Sequence, residues 1–364
     1  MNIFIMALEP LETRYTGQWF TAIPNILREA AHNKGKQVTV YNIAGEQTET
    51  KVTEGAFLNF TATNIWKNTQ INTLANYFSD GTVKPGDKVL FTDAWHSGIL
   101  QTKYMSELQD IPVEIHSMWH AGSYDPQDFL GRKIVDKRWT YSAERSYFFA
   151  SDFNYFATEF HKELFLDVLF RTHVPVDGLF LQPEDSKFVI SGQPHDLLVE
   201  KLQPFRNLKK RDLVLFPHRI APEKQPEIFR DLATHMPDVE FVICQEQNLT
   251  KDEYHRLLGE AKVVFSANLQ ETLGISAMEG ILVDTVPMVP DRLSYSEMYL
   301  ETYKYPSAWT ESWDAYVANK DRVIAWLRYA LETNGMSQSM IPMQRSILME
   351  RYLSAKAMVD KLVD

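Results

Sequence analysis

The chain has 364 residues, a formal net charge of −11, 45% hydrophobic residues and a single cysteine, Cys244. That length suggests two domains with a core each. The lone cysteine excludes a disulfide framework or a cysteine-built metal site, no apolar run reaches the ~20 residues of a membrane span, and the acidic balance argues against a dedicated nucleic-acid binder.

The opening Met1-Asn-Ile-Phe-Ile-Met-Ala has no basic leader and reads as a first buried strand over Asn2 to Ala7 rather than a signal peptide, which implies a cytoplasmic protein. Glu9 to Gln18 reads as a loop carrying Arg14 and Gly17. Trp19 to His32 has helical spacing, and Lys36 to Asn42 resumes as a strand, the β-loop-α-β opening of a doubly wound sheet. A helix is expected after Asn64. Lys88 to Thr92 is a strand that ends in Asp93-Ala-Trp95-His96, and Pro112 to Met118 is another that ends in Trp119-His120-Ala-Gly122. Both ends bring histidine, tryptophan and aspartate to the carboxyl edge of a sheet, where ligands bind in open α/β folds. Asp93 and His96 would also suit a metal, but no further ligand follows at a recognisable spacing.

Gly131 to Phe149 interleaves Arg132, Lys133, Lys137, Arg138 and Arg145 with Trp139, Tyr141, Tyr147 and Phe148. Two readings stand: a grip for an anionic, ring-bearing acceptor, nucleic acid included, or an amphipathic helix with its aromatic face in the core. A strand over Asp152 to Thr158, a helix start over Glu159 to Phe165, and the segments His173 to Val176 and Gly178 to Leu181 complete a first domain over residues 1–190. The stretch 191–211 is polar and interrupted by Gly192, Pro194 and Pro204, so it reads as the linker.

The second domain is expected over residues 212–339. Its first strand, Asp212 to Phe216, ends in Pro217-His218-Arg219-Ile-Ala-Pro222-Glu223-Lys224; an arginine fork and a lysine point charge there suit a diphosphate. A helix (Pro226 to Met236), a strand (Glu240 to Cys244) and a helix around Tyr254 to Leu258 follow. Val263 to Pro290 then reads VVFSANLQETLGISAMEGILVDTVPMVP: strand, polar loop, helix, strand. The loop lies at a helix N-terminus, whose free amides and positive dipole end favour an anion. Glu271 and Glu279 stand eight residues apart, a helical rise of about 12 Å, too far for a glycosidase carboxylate pair at roughly 5–9.5 Å. They suit separate grips on one long ligand. Leu293 to Tyr305 reads as a rim loop, and Ser312 to Thr333 and Met340 to Val363 read as helices.

Glu271-Thr-Leu-Gly274-Ile-Ser-Ala-Met-Glu279 resembles the E-x7-E signature of retaining GT-B glycosyltransferases, best the GT4-like group. Asp284-Thr-Val-Pro287-Met-Val289 resembles the G-x-P-V-V segment that follows it, and Arg219 with Lys224 resembles G-R-L-x-x-x-K-G. Thr272, Asp284 or Thr285, Pro217-His218 and Gln225 stand where that pattern has glycines.

The resemblance implies an α/β GT-B fold: two Rossmann-like doubly wound domains facing a cleft, with a C-terminal helix (340–364) crossing back to the first domain. It implies transfer of a sugar from a UDP- or GDP-linked donor with retention of anomeric configuration, the nucleotide-sugar being a co-substrate and no metal or other cofactor being required. Arg219, Lys224 and the backbone of Leu273, Gly274 and Ile275 would hold the diphosphate, with Gly17 in the first loop touching it. Glu271 would hold sugar hydroxyls, Glu279 the ribose, and His120 the sugar near its reacting carbon. Asp93, Trp95, His96, Arg132 and Trp139 are acceptor contacts. The acceptor is a carbohydrate or small molecule; alternatives are hydroxymethylated bases of phage DNA, placing the enzyme in host cytoplasm, or an epimerase or binder of the same fold.

Overall fold

The computed structural model describes residues 1–10, 15–48, 59–172, 183–332 and 336–364. Arg14 and the segments over His173 to Leu181 lie outside them. The chain forms two compact units, Met1–Pro194 with Ala355–Asp364, and His195–Ser354.

The first unit runs β1 (Asn2–Met6), α1 (Tyr15–Asn33), β2 (Thr39–Ile43), α2 (Phe60–Ser79), β3 (Lys88–Phe91), α3 (Gly98–Leu108), β4 (Glu114–Trp119), α4 (Phe129–Lys133), α5 (Lys137–Ala150), β5 (Phe153–Phe156), α6 (Glu159–Leu166) and β6 (Phe188–Ile190). Its sheet has the order β2-β1-β3-β4-β5-β6, every neighbouring pair parallel. Side chains alternate between faces along a strand. Ile3 and Ile5 therefore join a core with Trp19, Ile23 and Leu27 of α1, while Phe4 and Met6 join one with Ile71, Leu74 and Phe78 of α2.

The second unit runs α7 (Asp196–Leu202), β7 (Arg211–Phe216), α8 (Pro226–His235), β8 (Glu240–Ile243), α9 (Lys251–Glu260), β9 (Ala261–Phe265), α10 (Ile275–Leu282), β10 (Val286–Pro290), α11 (Tyr295–Met298), β11 (Lys304–Tyr305), α12 (Trp313–Leu331), α13 (Met336–Ser339) and α14 (Ile341–Arg351). Its order is β11-β10-β9-β7-β8, again parallel throughout. Val263, Val264 and Phe265 are fully buried, as a strand covered on both faces requires. The last helix, α15 (Lys356–Val363), belongs to the first unit, where Leu362 and Val363 enter the core around α1.

In each sheet the order in which strands are added reverses at one place, between β1 and β3 in the first and between β7 and β9 in the second. Crevices at such switch points hold the ligands of doubly wound sheets.

Four expectations are corrected. Gly17 lies in the first turn of α1 and not in a loop, because the helix that buries Trp19, Ile23 and Leu27 already begins at Tyr15. α2 begins at Phe60, not after Asn64, because Asn59 caps it by accepting from the Thr61 and Ala62 amides, each at 3.1 Å. The stretch 191–211 is not a plain linker: it contains α7, whose Leu198 and Leu202 are buried. The tail from Met340 is two helices, and only the second joins the first unit, because α14 buries Ile341 and Leu348 in the second unit.

Candidate functional site

The switch point of the second sheet gathers the residues after β7 and after β9. Beyond β7 the chain makes a tight helical turn, Pro222–Lys224, then a left-handed residue, Gln225, with φ 52°. Gln225 stays there because its side-chain amide donates to the Ala267 and Thr310 carbonyls, at 2.6 and 2.7 Å. The turn buries Lys224. Its ammonium donates to the Gln270 carbonyl at 2.5 Å and reaches Glu271 Oε2 at 3.2 Å. Arg219 pairs with Glu223 of the same turn. His218 Nδ1 lies 3.3 Å from Ser276 Oγ at the start of α10. Burial, reinforced by the Lys224 charge, lowers the His218 pKa to about 3, so the ring is neutral.

Gly274 caps α10 at φ 79° and offers no side chain to its amides. An added Cβ would stand 2.6 Å from Tyr295 Cε1, which only glycine avoids. Burial raises the carboxyl of Glu271, but Lys224 first, then His218 and the Gly274 amide, leave it below the usual carboxylate range. Asn268 donates to Glu271 Oε2 at 3.2 Å and to the Tyr295 hydroxyl at 3.0 Å, which fixes the carboxylate. Glu279 sits about one turn into α10, not two. Tyr254 donates to it at 2.6 Å. Burial raises its pKa to about 7, against the pull of Tyr254 and Lys251. Arg219, Lys224, Glu271, Leu273, Gly274 and Ile275 thus lie on two adjoining segments, with Glu279 further along the helix. Asn268, Tyr295 and Tyr254 join them with no local sequence signal.

In the first unit, Asp93 and His96 follow β3 at the other switch point. Lys67 of α2 donates to Asp93 Oδ2 at 2.7 Å and to the Trp95 carbonyl. Burial raises the Asp93 carboxyl; Lys67, then His120, outweigh it and bring the pKa to about 2. His96 Nδ1 accepts from the Gly98 amide at 3.0 Å, and Nε2 lies 3.3 Å from Gln70 Oε1. Burial, with Lys67 nearby, lowers its pKa to about 3. His120 stands at the end of β4: its Nε2 donates to the Thr92 carbonyl at 2.7 Å and its Nδ1 accepts from the Gln193 amide at 3.1 Å. Both ring nitrogens are therefore engaged within this unit.

Asp93 and His96 line a small recess with Glu9, Thr63, Trp66, Lys67 and Gln70. Sequence reasoning misses the last four, although they recur at i, i+3, i+4 and i+7 and so share one face of α2. Arg132 and Trp139 do not join this lining: both are exposed, on α4 and α5. Several members of the basic-aromatic stretch are engaged within the fold. Tyr141 and Phe148 are buried, Lys137 donates to the Ser123 and Gly131 carbonyls, Arg145 donates to the Leu169 carbonyl, and Arg138 pairs with Asp136.

Glu144 of α5, fully buried, ties the ends of β3 and β4 together. It accepts from Trp95 Nε1 at 3.0 Å, the Ser123 amide at 2.6 Å and the Ser123 hydroxyl at 2.8 Å. Burial raises its pKa to about 7, against the pull of Ser123 and Trp95. The folded chain therefore holds this proton at pH values where the unfolded chain has released it. The resulting loss of stability develops as pH rises from about 4.5 to about 7 and then levels off, at about 1.4 kcal/mol per pH unit. Glu144→Gln keeps the shape and stays neutral, so it should overtake the wild type in melting temperature between pH 5 and 8. A wild-type advantage that is constant over that range would contradict the assignment.

Among the described residues no group of three or more His, Cys, Asp or Glu could hold a metal ion, and no helix is long and apolar enough to cross a membrane.

No family model matches the sequence. Solved structures do. Sucrose-phosphate synthase from Thermosynechococcus elongatus aligns over 100% of this chain and 97% of its own, with a TM-score of 0.62 and 11% identity. Anabaena HepE, solved in complex with UDP, aligns over 100% and 98%, with a TM-score of 0.56 and 9% identity. The chain spans only 59% of the length of the pneumococcal O-GlcNAc transferase GtfA, which aligns over 82% of this chain with a TM-score of 0.48 and 12% identity. At these identities the likeness establishes the fold: two parallel doubly wound sheets of the GT-B type.

Proposed function

We propose that the protein is a retaining glycosyltransferase that takes its sugar from a nucleoside-diphosphate donor held by the second unit. One observation carries this: Lys224 and a helix start with no side-chain cap meet at one switch point, on either side of a carboxylate that Asn268 and Lys224 hold in place, and Arg219 stands on the same segment as Lys224. The reaction breaks the bond between the anomeric carbon and a diphosphate oxygen and forms one from that carbon to an acceptor hydroxyl oxygen, whose proton leaves with the diphosphate. Negative charge grows on the leaving diphosphate, and fixed donors aimed at such charge usually contribute more to the rate than any other single effect. Lys224, Arg219 and the first amides of α10 supply them from the protein itself. Glu271 binds hydroxyls of the sugar, and Glu279 binds the ribose.

A ribose diol donates to an ionised carboxylate, so donor affinity should rise as pH passes upward through about 7, where Glu279 ionises. HepE, of the same fold and solved with UDP, supports a uridine nucleotide. UDP- and GDP-sugars, tested one at a time, should raise the melting temperature, since a ligand at 100 times its Kd adds about 2.7 kcal/mol. The donor that binds should then release nucleoside diphosphate, which a transferase yields and an epimerase does not. A chain that neither binds nor consumes any of them would refute the proposal.

A further inference from the structure

We propose that Tyr254 is a positioning residue for the donor: its hydroxyl holds the carboxylate of Glu279 for the ribose diol, and this pair makes nucleotide binding sensitive to pH. The part concerning the nucleotide rests on the glycosyltransferase reading; the hold on Glu279 does not.

Tyr254 and Glu279 stand 25 residues apart in the chain, on α9 and α10, with β9 between them. The fold packs α9 against α10, and the Tyr254 hydroxyl then donates to Glu279 Oε2 at 2.6 Å. That is the short range of hydrogen bonds to an ionised oxygen. Both side chains are half-buried, so the carboxyl group stays within reach of a ligand. A carboxylate has about four acceptor positions. Tyr254 takes one on Oε2, and among the described residues no donor occupies Oε1. A glutamate already tied down also loses less freedom when a diol binds it.

Few charges face this pair. Lys251 of α9 draws the Glu279 carboxyl down, as Tyr254 does, while burial pushes it up. The Cys244 thiol, after β8, is pushed up to about 12 by burial and then by Glu279, and so carries no charge. Lys201 of α7 and His255 of α9 stand near Lys251. The other elements packed on α10 are committed elsewhere. Arg345 of α14 pairs with Asp284 beyond the far end of the helix, Lys262 of β9 pairs with Asp212, and β10 has no titratable residue. At the near end, Ser276 meets the neutral His218. Burial, then the Glu279 charge, holds the Tyr254 hydroxyl well above its ordinary range, so it remains a donor throughout. Its bond favours the ionised carboxyl; without it, ionisation waits for a higher pH.

The test uses the full chain with 13C-labelled glutamate, and UDP as the ligand. The Glu279 carboxyl resonance, identified by its loss in Glu279→Gln, is expected to titrate near pH 7 in the wild type. In Tyr254→Phe, which keeps the ring, it should titrate about one pH unit higher, roughly the worth of one hydrogen bond to a charged group. Calorimetry should then show UDP bound about fivefold more weakly by Tyr254→Phe at pH 7, with the two proteins converging towards pH 9. The titration of the UDP phosphate is common to both proteins and cancels in the ratio. In a Glu279→Gln background, Tyr254→Phe should leave the pH profile unchanged. A Glu279 resonance that titrates at the same pH in both proteins would overturn the proposal, as would parallel UDP profiles. Failure of the donor reading shows separately: the wild type binds no UDP, or Glu279→Gln binds it equally well, while the resonance still reports on the hold over Glu279.

Discussion

Lys224→Met is expected to lower nucleotide-sugar turnover by roughly 10²-fold, the usual cost of removing one fixed donor aimed at developing negative charge. Lys224 is almost wholly buried and bridges the Gln270 carbonyl and Glu271. Without it the carboxyl of Glu271 loses the strongest influence holding it below the usual range and moves upward. Breaking a buried pair costs roughly 3–5 kcal/mol; the Glu271 side chain is 19% exposed, so a loss towards the lower end of that range should accompany the kinetic one. The two effects separate by experiment. Thermal unfolding measures the first, and turnover at a temperature where the variant is fully folded measures the second. Glu271→Ala should cost at least about tenfold in turnover, ~1.4 kcal/mol of barrier. Wild-type turnover in both folded variants would remove these residues from the chemistry.

Gly274→Ala should be nearly as damaging although it adds one carbon. At φ 79° any side chain is strained, at a cost of about 1–3 kcal/mol. The new Cβ would also stand 2.6 Å from Tyr295 Cε1 and 3.3 Å from Glu271 Cγ. Tyr295 is fully buried, with its hydroxyl held by Asn268, so the ring has nowhere to move. The start of α10 must shift instead, taking the amides and Glu271 with it. We expect a melting temperature lower by several degrees and donor stabilisation reduced at least tenfold in apparent affinity. Normal donor affinity in Gly274→Ala would show that the start of α10 does not grip the phosphates.

Much of the fold is legible because parallel strands covered on both faces leave unbroken apolar runs, such as Val263-Val264-Phe265, and because βαβ units repeat in order. The segments whose sequence misleads are those where a distant surface decides. Asn59 caps α2 so that it begins at Phe60, five residues earlier than the apolar spacing suggests, a capping signal that only the folded helix reveals. Leu198 and Leu202 turn a polar, proline-marked stretch into a helix because the second unit offers a surface to bury them.

The proposed donor constellation is legible in the amino acids alone because it is local in the chain: Arg219 and Lys224 stand five residues apart on the segment that leaves β7, and Glu271 through Glu279 belong to one loop and its helix. The recess of the first unit was decided only by the tertiary structure. Glu9, Lys67 and Asp93 come from three separate elements, and no spacing in the sequence says that two carboxylates and a lysine will share one small volume. Their charges acquire chemical meaning only after burial brings them within reach of one another and takes away the water that would otherwise screen them.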